Sequence, residues 1–290
     1  MPGVDWTELT KTNARSVQTL VGWIFWDPGA LRRYEALGVP GPFGYVASRC
    51  RPLAAAGPEA VIAAFGSISP VVIRKTFELV AASTDFSAIW SARDEAVLDG
   101  LSEHAPSTVE PLARSASLLW SIVEALPSVG RVLFASHLEI ARPTDPVLSG
   151  WHAVNCLREW RGDTHWAIVA SEGLTGVEAS ILHNAWLGYE TDWIPVSRGT
   201  APEDLDEGWR SLHERGLVEG RVVTEEGLAL RQRIEDRTDA ATVCPWRMLG
   251  EPATREFAEL FEPGCELLLR RVDLTAGPNY QPASRIRPGR

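Results

Sequence analysis

The feature that most constrains this chain is the order of helix starts and stops between Pro146 and Asp239. Pro146 is suited to the first turn of a helix, and no second proline or turn cluster interrupts the chain before Glu172-Gly173. One long helix is therefore predicted from about 146 to 172. Thr175-Gly-Val-Glu178 has capping-box spacing and opens a helix to Trp186. After a loop from Gly188 to Ala201, a third helix runs from about Pro202 to Arg215, and Gly216 supplies its stop. Leu217-Val218 and Arg221-Val222-Val223 flank Glu219-Gly220 and read as two short strands around a tight turn. Thr224 then caps the charged segment EEGLALRQRIEDRTD. Helix, helix, helix, small hairpin, helix is the order of a winged helix.

The first half is helical too. Val17, Leu20, Val21 and Ile24 form an apolar stripe in a helix over 13–37, interrupted near Asp27-Pro28. After the turn cluster 38–43, GYVASRCRPLAAAG leads into two short helices. One starts after Pro58; the other has Ser69 as N-cap and Pro70 at its first position. This helix-turn-helix-like pair is almost wholly apolar, with Arg74 and Lys75 as its bases, so it reads as packed against the protein, not offered to a partner. Amphipathic helices follow over 88–103 and 107–126. Pro143 and Pro146 punctuate a linker from Glu139, which places a domain boundary there. The predicted fold is mainly α: two helical, winged-helix-like halves with a small β-hairpin wing near 217–223. The expected domains are 1–142, 143–273 and a disordered Pro- and Arg-rich tail, 274–290.

No run of about 18 apolar residues exists, which argues against a membrane span. The N-terminal MPGVDWTELTKTNARS lacks the basic-then-apolar order of a secretory signal. Cys50, Cys156, Cys244 and Cys265 are widely spaced, so four unpaired thiols in a reducing cytoplasm are expected. The net charge is −10, which repels a phosphate backbone unless positive charge is gathered on one face. In winged helices the helix before the wing usually enters the major groove. Here that helix, EDLDEGWRSLHER, carries Glu203, Asp204, Asp206, Glu207 and Glu214 against Arg210 and Arg215, a net charge of −3. The wing is too short to reach an adjacent groove. DNA binding is therefore not expected; packing or homodimerisation is the plainer use of the module.

The densest collection of chemically capable side chains is WHAVNCLREWRGDTHW, residues 151–166, on the long helix. At 100° per residue, Ala153, Val154, Cys156, Leu157, Trp160, Ala167 and Ile168 share a broad core arc. The opposite arc holds His152, Asn155, Arg158, Glu159, Gly162, Asp163 and His165, together with Trp151 and Trp166. A solvated face seldom carries two tryptophans, so this face is expected to be covered and to form the floor of a cleft between the halves. Arg158, Arg161 and His165 suit a carboxylate or phosphate. An acid–base reading uses His152 or His165 as base, oriented by Glu159 or Asp163. The structural alternative is an ion-pair network of Arg158, Glu159, Arg161 and Asp163 that docks the halves. A metal is not expected: His152 to Asp163 spans about 16 Å along a helix axis, and no HxxxH pair is present. Tyr45 and Arg49, four residues apart, are candidates for an opposing wall. No cofactor is implied. Twelve tryptophans fit a Trp-rich core first, and an aromatic-lined site second.

The run HAVNCLREWRGDTHWAIVASEGLTGVEA resembles the Leu-Arg-Glu-x-Arg-Gly-Asp-x-His signature of the SCO6745-like family, actinobacterial winged-helix (helix-turn-helix-like) proteins without a settled function. YVASRCRPLAAAGPEAVIAAFGSISPVVIRKTF is similar to that family's N-terminal block. GRVVTEEGLALRQRIEDRTD is similar to its wing-and-helix block, which itself resembles the end of MarR-type regulator domains. One departure is Ser197-Arg-Gly-Thr200, where the pattern has a tryptophan after Arg-Gly. The resemblance implies fold more than activity. Three functions stay open. The first is a protein that binds a small aromatic or polyketide-like molecule in a Trp/Arg/His cleft. The second is a cofactor-free acid–base enzyme of specialised metabolism, and the third a ligand-responsive regulator.

Overall fold

The computed structural model describes residues 3–189 and 191–276. Its first half comprises α1 (Trp6–Gly22), a 3-10 turn (Trp23–Trp26), α2 (Pro28–Ala36), α3 (Pro42–Cys50), α4 (Pro58–Phe65), α5 (Pro70–Ser83), α6 (Phe86–His104), α7 (Val109–Ala125) and α8 (Val132–Leu138). The second half comprises α9 (Pro146–Ser171), α10 (Gly176–Trp186), α11 (Trp193–Ser197), α12 (Pro202–Glu214), β1 (Val218–Glu219), β2 (Val222–Val223), α13 (Glu225–Ala241), α14 (Cys244–Leu249) and α15 (Glu251–Ala276). Prolines open many of these helices because the N–H they lack has no intrahelical partner in the first turn anyway. Thr175 and Glu178 form a complete capping box at α10, and Thr224 Oγ1 accepts from Gly227 N at α13. The mainly α fold and the short wing are as the sequence implies.

Several details differ from the sequence expectation. The first helix begins at Trp6 because the Asp5 carboxylate accepts from the Thr7 and Glu8 amides, ahead of the apolar stripe. The loop 188–201 contains the one-turn α11. The hairpin pairs Val218 with Val223 and Glu219 with Val222, so its turn is Gly220-Arg221, with Gly220 at φ +58°. The 26-residue α15 is not implied by the sequence reading; of the expected disordered tail, 274–290, Leu274, Thr275 and Ala276 complete this helix and 277–290 lie outside the described residues.

The largest buried apolar cluster draws Val17, Leu20, Trp23 and Leu101 from ahead of Pro143, and Val154, Trp160, Phe261 and Leu268 from after it. Long α15 packs along α1, while α7 and α8 pack on α9. A second cluster (Ile181, Leu182, Leu212, Val218, Leu230, Ile234) is the core of the winged unit α10–α13. That unit meets the first half through close backbone approach. A Cβ on Gly176 would stand 1.9 Å from the Gly66 carbonyl oxygen, and Ser69 N donates to Arg198 O at 3.0 Å. The third cluster, including Val61, Phe65 and Ile73, lies under the α4–α5 pair.

The α7–α9 contact sets the position of every candidate residue on α9. It is tight because Gly150 faces α7 backbone: a Cβ there would lie 2.1 Å from the Leu112 carbonyl oxygen. Gly150→Ala should therefore force the helices apart and lower stability by about 1–3 kcal/mol, the usual cost of overpacking. Urea unfolding of the two proteins measures this, and an unchanged midpoint would show that the contact is not constraining.

Candidate functional site

α9 has no solvent face over most of its length. Trp151, His152, Asn155, Glu159 and Asp163 are buried on one side, and Ala153, Val154, Cys156, Leu157 and Trp160 on the other. Burying a charge requires a matched partner, so the surrounding elements must supply one for each ionised group. They do so in three separate places along the helix.

The first is Glu159, 1% exposed. Arg49 on α3 grips it with two hydrogen bonds, Nε to Oε1 at 3.0 Å and Nη2 to Oε2 at 2.8 Å. Arg158 adds Nη1 to Oε1 at 2.6 Å and reaches back to Gln18 on α1, Nε to Oε1 at 3.0 Å. Burial alone would raise the Glu159 carboxyl; the Arg49 and Arg158 charges outweigh it and hold the group well below the ordinary carboxylate range. The Arg49 guanidinium also lies over the Phe65 ring, 4.3 Å from its centroid.

A concavity opens beside this pair, between α1, the 3-10 turn, α3, α6, α8 and α9. It encloses about 250 Å³ with its open side included, and about 10 Å³ of that can take the centre of a water molecule, room for one. Val21, Ile24, Tyr45 and Trp151 give it apolar walls; Arg49, Arg93, His137, Asn155, Arg158 and Glu159 give it polar ones. Phe25 packs against Tyr45 with ring centroids 4.5 Å apart. Tyr45, Arg49 and Arg158 are half-buried, whereas Asn155 is 5% exposed. Among the described residues the Asn155 side-chain amide makes no hydrogen bond, although it lines the cavity.

The second place is His152, whose Nε2 lies 3.0 Å from Asp94 Oδ1 and 3.1 Å from Arg93 Nη2 on α6. Arg93 is 3% exposed, pairs with Asp94 at 2.6 Å and stacks over Trp90 at 3.6 Å. Burial lowers the His152 pKa, against the Asp94 hydrogen bond that raises it. Asp94, which burial would raise, is held below its usual range by Arg93 and His152. His152 is thus oriented by Asp94, not by Glu159 or Asp163.

The third place faces the winged unit. Arg161 Nη2 donates to Glu235 at 2.7 Å and Asp239 at 2.6 Å on α13, and His165 Nδ1 lies 3.0 Å from Thr238 Oγ1. Arg231 closes the cluster on Glu235 at 2.7 Å and His183 at 2.9 Å. Trp166 packs over Gly66, where a Cβ would meet the indole at 2.3 Å. Asp163 does something else: its Oδ2 accepts from Phe134 N at 2.9 Å, supplying the acceptor that the start of α8 lacks. Burial pushes this carboxyl up to about 6.

Of the residues singled out in the sequence, Tyr45, Arg49, Trp151, Asn155, Arg158 and Glu159 thus meet at one cavity. His152 lies behind it; Asp163, Arg161, His165 and Trp166 do not join it. Sequence reasoning missed Arg93, Asp94 and His137. Arg93 was detectable, because Trp90, Arg93, Val97 and Leu101 fall on the buried stripe of α6, where a charge needs a reason. His137 gives no such signal, since α8 is only seven residues long. No group of three or more His, Cys, Asp or Glu able to hold a metal ion occurs among the described residues. No helix among them is long and apolar enough to cross a membrane.

On the winged unit, the bases nearest a would-be DNA surface are already engaged. Arg210 pairs with Glu207 and Glu214 on α12 itself, and Arg221 of the wing pairs with Asp192 and Asp206. Arg215 donates to the carbonyls of Glu172 and Gly173.

A family model described as a helix-turn-helix family matches residues 10–275. No curated protein and no solved structure matches significantly.

Buried histidines make the fold acid-sensitive. Burial lowers His137 to about 4 and, helped by Arg231, His165 to about 3; His152 and His183 move the same way. The unfolded chain, titrating near 6.5, then binds more protons than the folded one as pH falls. Their contribution is complete above about pH 6.5 and is lost progressively toward pH 4–3. Asp163 and Asp239, whose pKa values are raised by burial, act in the opposite sense but are fewer. The melting temperature should therefore fall between pH 7.5 and 4.5, and calorimetry showing it level or rising would contradict the arrangement.

Proposed function

Because the chain belongs to the helix-turn-helix family yet spends its recognition-position bases on its own acids, we propose that it binds a small organic molecule at the Arg49–Glu159 cavity and does not read DNA. Within the family we place it in the SCO6745-like group, with the MarR-like likeness confined to its wing and final helix. What supports the ligand reading is the concavity itself, where Asn155, with no protein hydrogen bond among the described residues and an amide that solvent still reaches, lies beside charged and aromatic side chains. The narrow interior admits only a small group. A larger guest needs Tyr45 and Arg158, both half-buried, to rotate outward, so the bulk of the ligand rests along the Tyr45–Phe25 rim.

A regulator is the second reading, favoured by the family. It requires phosphate contacts, and Arg210, Arg215 and Arg221 are committed elsewhere. The acid–base reading has less behind it. His152 Nε2 and His165 Nδ1 are tied to Asp94 and Thr238, and His137, on the cavity wall, is a weak base at a pKa of about 4.

Two measurements test this. Titrating aromatic and polyketide-like metabolites against the intrinsic tryptophan fluorescence, to which Trp151 on the cavity wall contributes, should reveal at least one compound that quenches and raises the melting temperature, with the effect lost in Asn155→Leu. Full retention in that variant, or silence from the whole panel, refutes the site. In gel shifts with genomic fragments at about 50 mM salt, where attraction to phosphate is strongest, no retained band is expected; a sequence-specific band would restore the regulator.

A further inference from the structure

Of the six histidines in the chain, one has hydrogen bonds that run opposite to the rest. His183 on α10 faces Arg231 on α13, whose Nε lies 3.1 Å and Nη2 2.9 Å from His183 Nδ1. A guanidinium can only donate, so Nδ1 is the acceptor and the ring carries its proton on Nε2. At the other five an added proton keeps or improves the contact. His137 and His213 give their Nδ1–H to the carbonyls of Leu133 and Val218. His165 gives its own to Thr238 Oγ1, whose hydroxyl already donates to Ile234 O. Each of these takes a second proton on Nε2, away from the bond. His152, although close to Arg93, has Asp94 at 3.0 Å, and His104 has Glu103 at 3.9 Å. His183 must take the proton on the nitrogen that Arg231 holds.

We propose that His183 is an acid-sensitive latch of the winged unit: a proton on Nδ1 ends both bonds to Arg231 and parts α10 from α13. Arg231 has little to turn to. It is 5% exposed, and among the described residues its Nη1 is buried without a partner and its other side-chain acceptor is Glu235, at 2.7 Å. Glu235 is already shared with Arg161, whose Nε is likewise buried and unpaired. A buried donor that loses its acceptor carries its full desolvation penalty. The surrounding charges act in the same direction. His183 faces Arg231 and Glu235 from α13, His165 from α9 and Arg198 from the end of α11; α12 meets α10 along its other edge, at Val177 and Ile181. Burial, with Arg231 and Arg198, holds the latched ring neutral well below the ordinary imidazole value. Once released, the ring titrates near that value, about 6.5, and binds a proton that the latched ring refuses. Acid therefore favours the open joint. The latch lies apart from the Arg49–Glu159 cavity and stands independently of the ligand reading.

Amide hydrogen exchange of the full-length protein, corrected for the intrinsic pH dependence of exchange, reads the joint directly. Between pH 6 and 4.5, protection of residues 176–186 and 225–241 should fall roughly tenfold per pH unit, the signature of one proton taken up on opening, while α7 stays protected. His183→Asn puts an oxygen acceptor where Nδ1 stands and takes no proton, so its protection should fall by less than about twofold per unit. Because slopes are compared, a variant that is only less stable does not imitate this result. An equal slope in folded His183→Asn, level protection in the wild-type protein, or loss shared equally by α7 overturns the latch. Nitrogen NMR of the wild-type protein at pH 7.5 adds a reading that needs no variant. His183 should carry its proton on Nε2, opposite to His137, His165 and His213. A proton on its Nδ1 overturns the inference whether or not the variant folds.

Discussion

The fold depends on a long helix that is enclosed on nearly every side while carrying ionised groups. α9 meets α1, α6, α7, α8 and α13, so His152, Glu159 and Asp163 along its middle are buried away from bulk water. Taking an ion out of water costs several kcal/mol even after relaxation, and attraction to a partner returns that only when geometry is good. Glu159 meets the condition with three short donor contacts, two of them from one planar guanidinium. Such a match adds less to stability than an apolar core of equal volume would. What it does is favour one register: a slip of α3 along α9 would take Arg49 from Glu159 and leave that guanidinium without its carboxylate partner.

How much of this was legible follows from where the information sits. The boundaries of α9, α10, α12 and α13 are written in local signals, Pro146, the Thr175–Glu178 box, Gly216 and Thr224, which act within one turn and need no tertiary context. The enclosure of α9 was also foreshadowed, by tryptophans at 151 and 166 on its charged side. The grouping of the charges was not. Helical arcs placed His152 beside Glu159 and Asp163, but which of them share a site depends on the helices that arrive opposite. α6 brings Asp94 to His152, α3 brings Arg49 to Glu159, and the start of α8 claims Asp163. α15 left little trace because its interior proline, Pro263, and its mixed charges mask a helical pattern that packing on α1 sustains.

The family to which the chain belongs is named for a DNA-binding arrangement, and the contrast with this molecule is electrostatic, not topological. A recognition helix works when its bases are free to displace counterions from phosphate. α12 keeps the position and reverses the charge, and the arginines it retains are held by neighbouring acids or carbonyls. Arg221, at the turn of the wing, is drawn back onto Asp206 and Asp192 instead of extending outward. Each of these pairs is exposed and individually weak. Together they compensate Arg210 and Arg221, while Arg215 rests on the neutral carbonyls of Glu172 and Gly173.

Three other arginines, Arg49, Arg93 and Arg158, lie inward. Around the cavity three guanidiniums lie among three carboxylates, Asp94, Glu159 and Asp163, and two of the guanidiniums are held by aromatic surfaces: Arg49 over Phe65, and Arg93 between Trp90 and Trp151. Stacking on a ring keeps a guanidinium in place without consuming its N–H groups, which a second carboxylate would do. The protein thereby keeps hydrogen-bonding capacity in a desolvated interior, where each donor acts more strongly than at the surface.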